Sequence, residues 1–389
     1  MIKYCTSCIM PETKPDLKLD KQGVCSACRN FENRESVDWT ERKEELLQIL
    51  DRYRSKDGSN YDCVIPVSGG KDSHYQTIKM LELGMNPLCV TGTTCSLSEI
   101  GRQNIENLKK IGVDYIEVTS NRVIRKKLNK FALINIGDIS WTEHVTIFTV
   151  PVRIAVQLNI PLIIWGENPQ NEYGGPAAAS GNNALTRRWL EEFGGLLGLR
   201  VSDLIGMENI EQKHLIQFTY PDDETLQGVG VTGLFLGYYV PWDGYRNSLY
   251  AQGYGFRTYH KYVEGSLANY ENLDNYQTGI HDYFKFLKYG FARATDIACM
   301  HIRRGRLSRE DALRLVKMHD GKFLWVYLGQ RIEDTLADID MTLDEFVKVC
   351  DRFTNKKLFV CDSRGNLVKD KDGNLTKINY DNADESLKE

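Results

Sequence analysis

Between residues 61 and 165, short apolar runs alternate with longer amphipathic stretches. The runs at 62–67, 87–91, 114–118 and 161–165 have the length and apolar content of strands in a covered sheet. The stretches at 72–83, 98–111, 121–134 and 142–158 carry helical periodicity. Gly84 and Gly112 follow the first two, where a left-handed residue would end a helix. Strands separated by helices of this length imply a parallel sheet with helices on both sides. The expected fold class is α/β, a doubly wound parallel sheet.

The rest of the chain divides around this sheet. Its 389 residues leave room for two or three domains, and 42% hydrophobic with 26% charged residues is ordinary for a chain with a sizeable core. Residues 1–35 hold four cysteines and too few apolar side chains for a core of their own. Residues 36–60 read as a helix at 38–54, with Trp39, Leu46, Leu47 and Leu50 on one face, followed by a polar linker. The α/β domain is assigned to 61–220. A mostly helical, substrate-binding C-terminal region is assigned to 221–361, with many aromatics before 285 and a last helical region at 291–354 that includes a start at Ser308. The polar tail, 362–389, is expected to fray, and no internal repeat stands out.

Directly after the first strand comes Ser68-Gly69-Gly70-Lys71-Asp72-Ser73, opening a helix. Two glycines let backbone turn tightly against an anion, free N–H groups and the helix dipole favour negative charge, and Lys71 adds a point charge. A Walker A loop is excluded, because Ile65 stands where its first glycine belongs and Asp72 follows the lysine in place of Ser or Thr. The six residues resemble the PP-loop, SGGxDS, of the ATP pyrophosphatase superfamily. That resemblance implies a grip on the pyrophosphate of ATP and attack at its α-phosphorus. Asp72 beside a triphosphate makes sense as a Mg²⁺ ligand; alternatively it is a first-turn carboxylate that suits the helix dipole.

Cys5-x₂-Cys8 and Cys25-x₂-Cys28, sixteen residues apart, fit the spacing of a four-cysteine zinc site. Four thiolates leave no open position, so the expected ion is structural and supplies folding energy. An iron–sulfur cluster or a redox pair are the alternatives. Cys63, Cys89, Cys95, Cys299, Cys350 and Cys361 are scattered and read mostly as small core residues.

Ligands of open parallel sheets bind beyond the carboxyl ends of the strands. Thr91-Gly92 after the second strand and Gly166-Glu167-Asn168 after the fourth therefore belong with the 68–73 loop. Glu167 suits a Mg²⁺ ligand or base, and Asn168 a sugar hydroxyl or amide. Basic residues from Lys288 to Arg309 suit a phosphate clamp, or equally a solvated helix end. Aromatics at 238–262 suit stacking on a sugar or base, though packing is their commoner use. His144, His214, His260 and His281 show no metal spacing and receive no role. Lys and Arg total 49 against 53 Asp and Glu, a net charge of −4 that argues against a nucleic-acid-wrapping protein. No run of apolar residues is long enough to span a membrane, and the first residues carry no apolar signal stretch, so a cytoplasmic location is expected.

Together, CTSC and CSAC near the start, SGGKDS, WGENPQNEYGG at 165–175, GFARATDIA at 290–298 and IRRGRLSRE at 302–310 resemble the N-acetyl sugar amidotransferase family. That family serves bacterial O-antigen lipopolysaccharide and pseudaminic or legionaminic acid modification. The resemblance implies conversion of a sugar acetamido group to an acetamidino group with ATP and ammonia. Lys71, Asp72 and Glu167 would be catalytic. Ser68, Gly69, Gly70, Lys71, Asp72, Ser73, Thr91, Gly92 and Gly166 would bind ATP, and Asn168, Asn171, Glu172, Tyr173, Arg293 and Asp296 the sugar. The chain has no N-terminal catalytic cysteine and no Gly-x-Cys-x-Gly elbow. Ammonia is therefore expected from a separate glutaminase subunit, with a cyclase-like companion also implied. The alternatives are a tRNA-thiolating PP-loop enzyme, for which Cys95 is the cysteine near a strand end, and a non-catalytic zinc-dependent scaffold.

Overall fold

The structure, a computed structural model, describes residues 2–167, 184–185 and 196–378. After a short helix α1 (Ser26–Asn33) comes α2 (Trp39–Tyr53), capped by Asp38, whose carboxylate accepts from the Thr40 and Glu41 N–H groups. The alternating stretch then runs β1 (Cys63–Pro66), α3 (Lys71–Glu82), β2 (Pro87–Gly92), α4 (Glu99–Lys109), β3 (Asp114–Val118), α5 (Arg122–Ile136), α6 (Trp141–Gln157) and β4 (Leu162–Trp165). Each lies where the apolar periodicity places it.

The sheet order is β3-β2-β1-β4-β6-β5, in which β5 (Ala184–Leu185) is antiparallel and the other five strands are parallel. The fifth parallel strand is β6 (Thr232–Phe235), paired residue for residue with β4. It falls past residue 220, in the stretch that its aromatic content assigns to the helical C-terminal region. Both faces of the sheet are covered. Cys63, Ile65, Cys89, Leu162 and Ile164 pack with Leu46 and Leu50 of α2, Met80 of α3 and Leu108 of α4. Val64, Leu88, Val90 and Ile163 point the other way and pack on Val150, Val152 and Ala155 of α6. This alternation, one residue to each face, is why the central strands β1 and β4 are apolar throughout.

The C-terminal half continues with α7 (Asp223–Val229), α8 (Gly244–Gln252), α9 (Thr278–Tyr289), α10 (Arg293–Arg303), α11 (Arg309–His319), α12 (Ile332–Ala337) and α13 (Leu343–Phe353). Ser308 caps α11 by accepting from the Asp311 N–H. A hairpin, β7 (Val326–Tyr327) and β8 (Gln330–Arg331), interrupts the helical run. Its turn residues Leu328 and Gly329 both have positive φ, the two-residue turn that matches strand twist. A second core gathers Tyr283, Phe284, Phe286, Ile297, Phe346 and Phe359.

The tail departs from the fraying expected of it, at least through Ile378. Residues 362–369 (DSRGNLVK) and 370–377 (DKDGNLTK) form a tandem near-repeat, and each unit closes as a turn. Asp362 accepts from the Arg364 and Asn366 N–H groups, and Asp370 does the same for Asp372 and Asn374. Among the described residues, no helix is long and apolar enough to cross a membrane.

Candidate active site

Strand order reverses between β1 and β4, so their carboxyl ends open a crevice where ligands of such sheets bind. The 68–73 loop leaves β1 there. Gly69 has φ +85, and a Cβ on it would stand 2.8 Å from Ile105 Cγ1 and 3.0 Å from the Ile105 nitrogen, so glycine satisfies both backbone and packing. The turn is pinned from within: the Ser68 N–H donates to Ser73 Oγ at 2.9 Å. From below, the ring of buried His74 bonds the Gly70 carbonyl through Nδ1 at 3.0 Å, and burial lowers the pKa of this imidazole. The N-cap of α3 is Gly70, which has no side chain to occupy the first-turn N–H groups. That is the anion-binding arrangement of a helix N-terminus.

Lys71 is buried, and its ammonium lies 2.6 Å from Asp72 and 2.8 Å from Glu271. Burial pulls its pKa down, but Asp72, Glu271 and then Glu167 outweigh that and hold it well above the usual lysine range. Glu271 is the counterpart. Burial alone would raise its pKa, and the charges of Lys71 and Arg293 depress it instead. The second oxygen of Asp72 accepts from Asn247 of α8 at 2.9 Å. The loop lysine thus sits in a closed ionic cluster whose third member comes from the far half of the chain.

A cavity of about 270 Å³ adjoins the loop, lined by Ser68, Thr91, Gly92, Glu143, Asp274 and Arg293 among others. No Phe, Tyr or Trp lines it among the described residues. In the 238–262 stretch, Tyr239, Trp242 and Phe256 are instead buried as packing. The wall opposite the loop is the segment 271–275. Asp274 bonds Ser68, and burial raises its carboxyl pKa. Under Thr93, the buried Arg125 guanidinium donates to the Thr93 carbonyl at 2.8 Å and to Glu143 at 3.0 Å, which fixes the loop after β2. Glu271, Asp274 and Arg125 escape a sequence reading because nothing in their spacing links them to residue 68.

Of the residues singled out beyond the loop, Arg293 lines this cavity and pairs bidentately with Asp282 at 3.1 and 3.2 Å. Asp296, one turn on, is turned away. It pairs with Lys285 and lines a second cavity of about 390 Å³. The other basic residues of that run are engaged in the protein. Lys288 holds the Ile136 and Gly137 carbonyls, Arg304 and Arg306 converge on Asp243, and Arg309 donates to the Cys8 carbonyl. Gly166 directly follows β4 against Trp242, and a Cβ there would collide with the Gln76 amide. Glu167 follows it within electrostatic reach of Lys71. Asn168, Asn171, Glu172 and Tyr173 lie outside the described residues.

Two histidines without any metal spacing in the sequence are brought together by the fold. His281 Nδ1 lies 2.8 Å and His144 Nδ1 3.4 Å from the carboxylate of buried Asp138, and the two rings stand 5.2 Å apart, edge to face.

In the N-terminal segment, Cys5, Cys8, Cys25 and Cys28 converge and are buried. The Cys5–Cys28 and Cys8–Cys25 sulfurs lie 3.9 and 3.7 Å apart. A tetrahedral ion with metal–sulfur bonds of about 2.3 Å requires edges of about 3.8 Å, so the cluster has the size of such a site. The N–H groups of Cys8 and Cys25 point at Cys5 Sγ, at 3.4 and 3.2 Å. Arg303 is half-buried alongside. Burial works against its charge, yet Cys299, Cys8, Cys28 and Cys25 hold its pKa above the usual range.

No curated protein matches the chain. Residues 257–370 match the family model described as LPS biosynthesis protein WbpG-like, C-terminal domain. The match covers less than a third of the chain, and it takes in Glu271, Asp274, Asp282 and Arg293, the side of the crevice that faces the 68–73 loop. Over this C-terminal part, the chain is similar to a family of lipopolysaccharide biosynthesis proteins.

Proposed function

We propose that the chain is an AMP-forming, ATP-dependent enzyme of lipopolysaccharide or nonulosonic acid biosynthesis that turns a sugar acetamido group into an acetamidino group. The observation that carries this reading is the composite crevice. A loop of PP-loop sequence lies at the switch point of a parallel sheet, and its lysine and serine are held by Glu271 and Asp274 of the WbpG-like part. The amide oxygen attacks the α-phosphorus of ATP and pyrophosphate leaves. Ammonia then adds to the imidate carbon, and AMP departs with the former amide oxygen. Adenylation is needed because an amide carbonyl is a poor electrophile and its oxygen a poor leaving group.

In this reading the first-turn N–H groups of α3 and Lys71 receive the pyrophosphate, and Ser68, Ser73, Thr91, Gly92 and Gly166 shape the nucleotide site. Asp72, Glu167, Glu271 and Asp274 make the loop's surroundings acidic, so a triphosphate there requires a divalent cation, and Asp72 is assigned to Mg²⁺. Glu167 serves as a further ligand or as base. Arg293 contacts the sugar, with Asn168, Asn171, Glu172, Tyr173 and Asp296 assigned to its recognition. Cys5, Cys8, Cys25 and Cys28 hold a structural zinc. Ammonia comes from a glutaminase subunit, beside a cyclase-like companion, in the cytoplasm. Against a tRNA-thiolating role stands Cys95. Burial first, and then Glu143, push its thiol up to about 12, far from the thiolate such chemistry uses.

The test is oxygen tracing. With ATP, Mg²⁺, ammonium and N-acetyl sugars labelled with ¹⁸O in the amide carbonyl, the label is expected in AMP, with pyrophosphate as co-product. Formation of ADP, or label retained in the sugar product, would exclude the mechanism.

A further inference from the structure

We propose that Asp138, His144 and His281 form a second metal site, one that binds a zinc-class divalent ion with an open position facing the cavities. The donor atoms come from three separate elements: the turn after α5, the first turn of α6 and the first turn of α9. All three lie within 4.8 Å of one another. Two imidazole nitrogens and one carboxylate oxygen are the donor set of a zinc ion that keeps one coordination position free. Bonds of about 2.0–2.2 Å at tetrahedral angles place neighbouring donors about 3.3–3.5 Å apart. His144 Nδ1 stands 3.4 Å from Oδ2 and His281 Nδ1 2.8 Å from Oδ1 of the Asp138 carboxylate, so an ion enters with small side-chain shifts.

Three further features suit a metal site. Both histidines turn the same ring atom, Nδ1, towards one carboxylate. The carboxylate is fixed by a second partner, since the Ser140 N–H donates to Asp138 Oδ1 at 2.9 Å, as outer-shell hydrogen bonds fix ligating carboxylates elsewhere. Lys288, which feels the Asp138 charge, is occupied by the carbonyls of Ile136 and Gly137. Asp138 is buried, while the two histidine side chains are each 30% exposed, so an ion has a route in.

The position matters as much as the donors. His144 and His281 line both the cavity beside the 68–73 loop and the second cavity that contains Lys285 and Asp296. An ion here stands at the junction of the two, and its open position takes water or an oxygen of a molecule bound in either. Metal binding at this point does not depend on which group the crevice transfers.

The experiment is metal stoichiometry on the full chain, loaded with Zn²⁺, dialysed and measured by elemental mass spectrometry. The expected result is one equivalent fewer in His281→Gln and in His144→Gln than in the wild type, with melting curves confirming that both variants fold. Co²⁺ titration separates this site from the thiol cluster. The equivalent lost in His281→Gln contributes visible d–d absorption without a thiolate charge-transfer band. Equal metal content in wild type and both glutamine variants, or a lost equivalent that carries the thiolate band, would overturn the assignment. Asp138 would then be a carboxylate clamp for two histidines and nothing more.

Discussion

The thiol cluster and the Lys71 cluster both bury charge, by opposite means. Around Cys5, Cys8, Cys25 and Cys28, four like donors converge, and the cation the structure places beside them is Arg303. Around Lys71, the ammonium already meets Asp72 and Glu271, so the cation is paired before anything binds. Under the proposed function, the first arrangement takes up an ion that holds it together, and the second is opened by its ligand. On that proposal one serves folding and the other exchange.

The largest effect expected from breaking this contrast is at the thiols. A structural zinc is worth about 10–16 kcal/mol in isolated finger peptides at neutral pH, more than most domains have in total. Cys5→Ser should therefore unfold the N-terminal module and loosen the helices it packs on, α10 and α11. Hydrogen exchange would read this as lost protection in residues 2–33 and 293–319. Unchanged protection would refute the structural role.

At Lys71 the loss should be smaller and repairable. Lys71→Met strands Glu271 in a buried site, and breaking a buried pair costs about 3–5 kcal/mol. Arg293, whose charge also reaches Glu271, should keep the loss at the lower end. Adding Glu271→Leu removes the stranded charge and should restore the melting temperature, while turnover stays depressed by about 100-fold or more for want of the lysine. Recovery of turnover along with stability would mean Lys71 is a structural cation only.

The smallest effect is a pH slope. Pairing depresses the Glu271 pKa below its ordinary 4.5. The stabilisation is therefore complete above pH 4.5 and fades as pH falls through the depressed value. Thermal melts of Glu271→Gln should show a shallower fall in this acid range than the wild type. Parallel curves would remove Glu271 from the ionic cluster.

What could be read beforehand follows the same divide. The four cysteines and the 68–73 loop are legible because their members are neighbours in the chain, and a strand–glycine–helix pattern needs only local rules. The strands to Trp165 are legible through their apolar runs. By contrast, β6 is four residues, Thr-Gly-Leu-Phe, without a pattern of its own, and it exists because β4 offers it an edge. Glu271 and the Asp138–His144–His281 group are joined by tertiary closure across more than a hundred residues, which no spacing rule encodes. The tail repeat is legible in the sequence alone, since DSRGNLVK and DKDGNLTK share Asp, Gly, Asn, Leu and Lys at the same places.

One feature of the fold bears on how the chain is made. The cysteine module leaves the ribosome before the segment it packs on: its apolar face rests on Phe291, Ala294, Ala298, Ala312 and Val316, and Lys377 donates to Tyr4. Until those residues are made the module has no docking surface, and α10 and α11 complete a structure begun some three hundred residues earlier. A nascent chain stalled before α10 would expose that face to chaperones and to oxidation of its thiols. Metal captured early would protect the opening segment until its distant partner is synthesised.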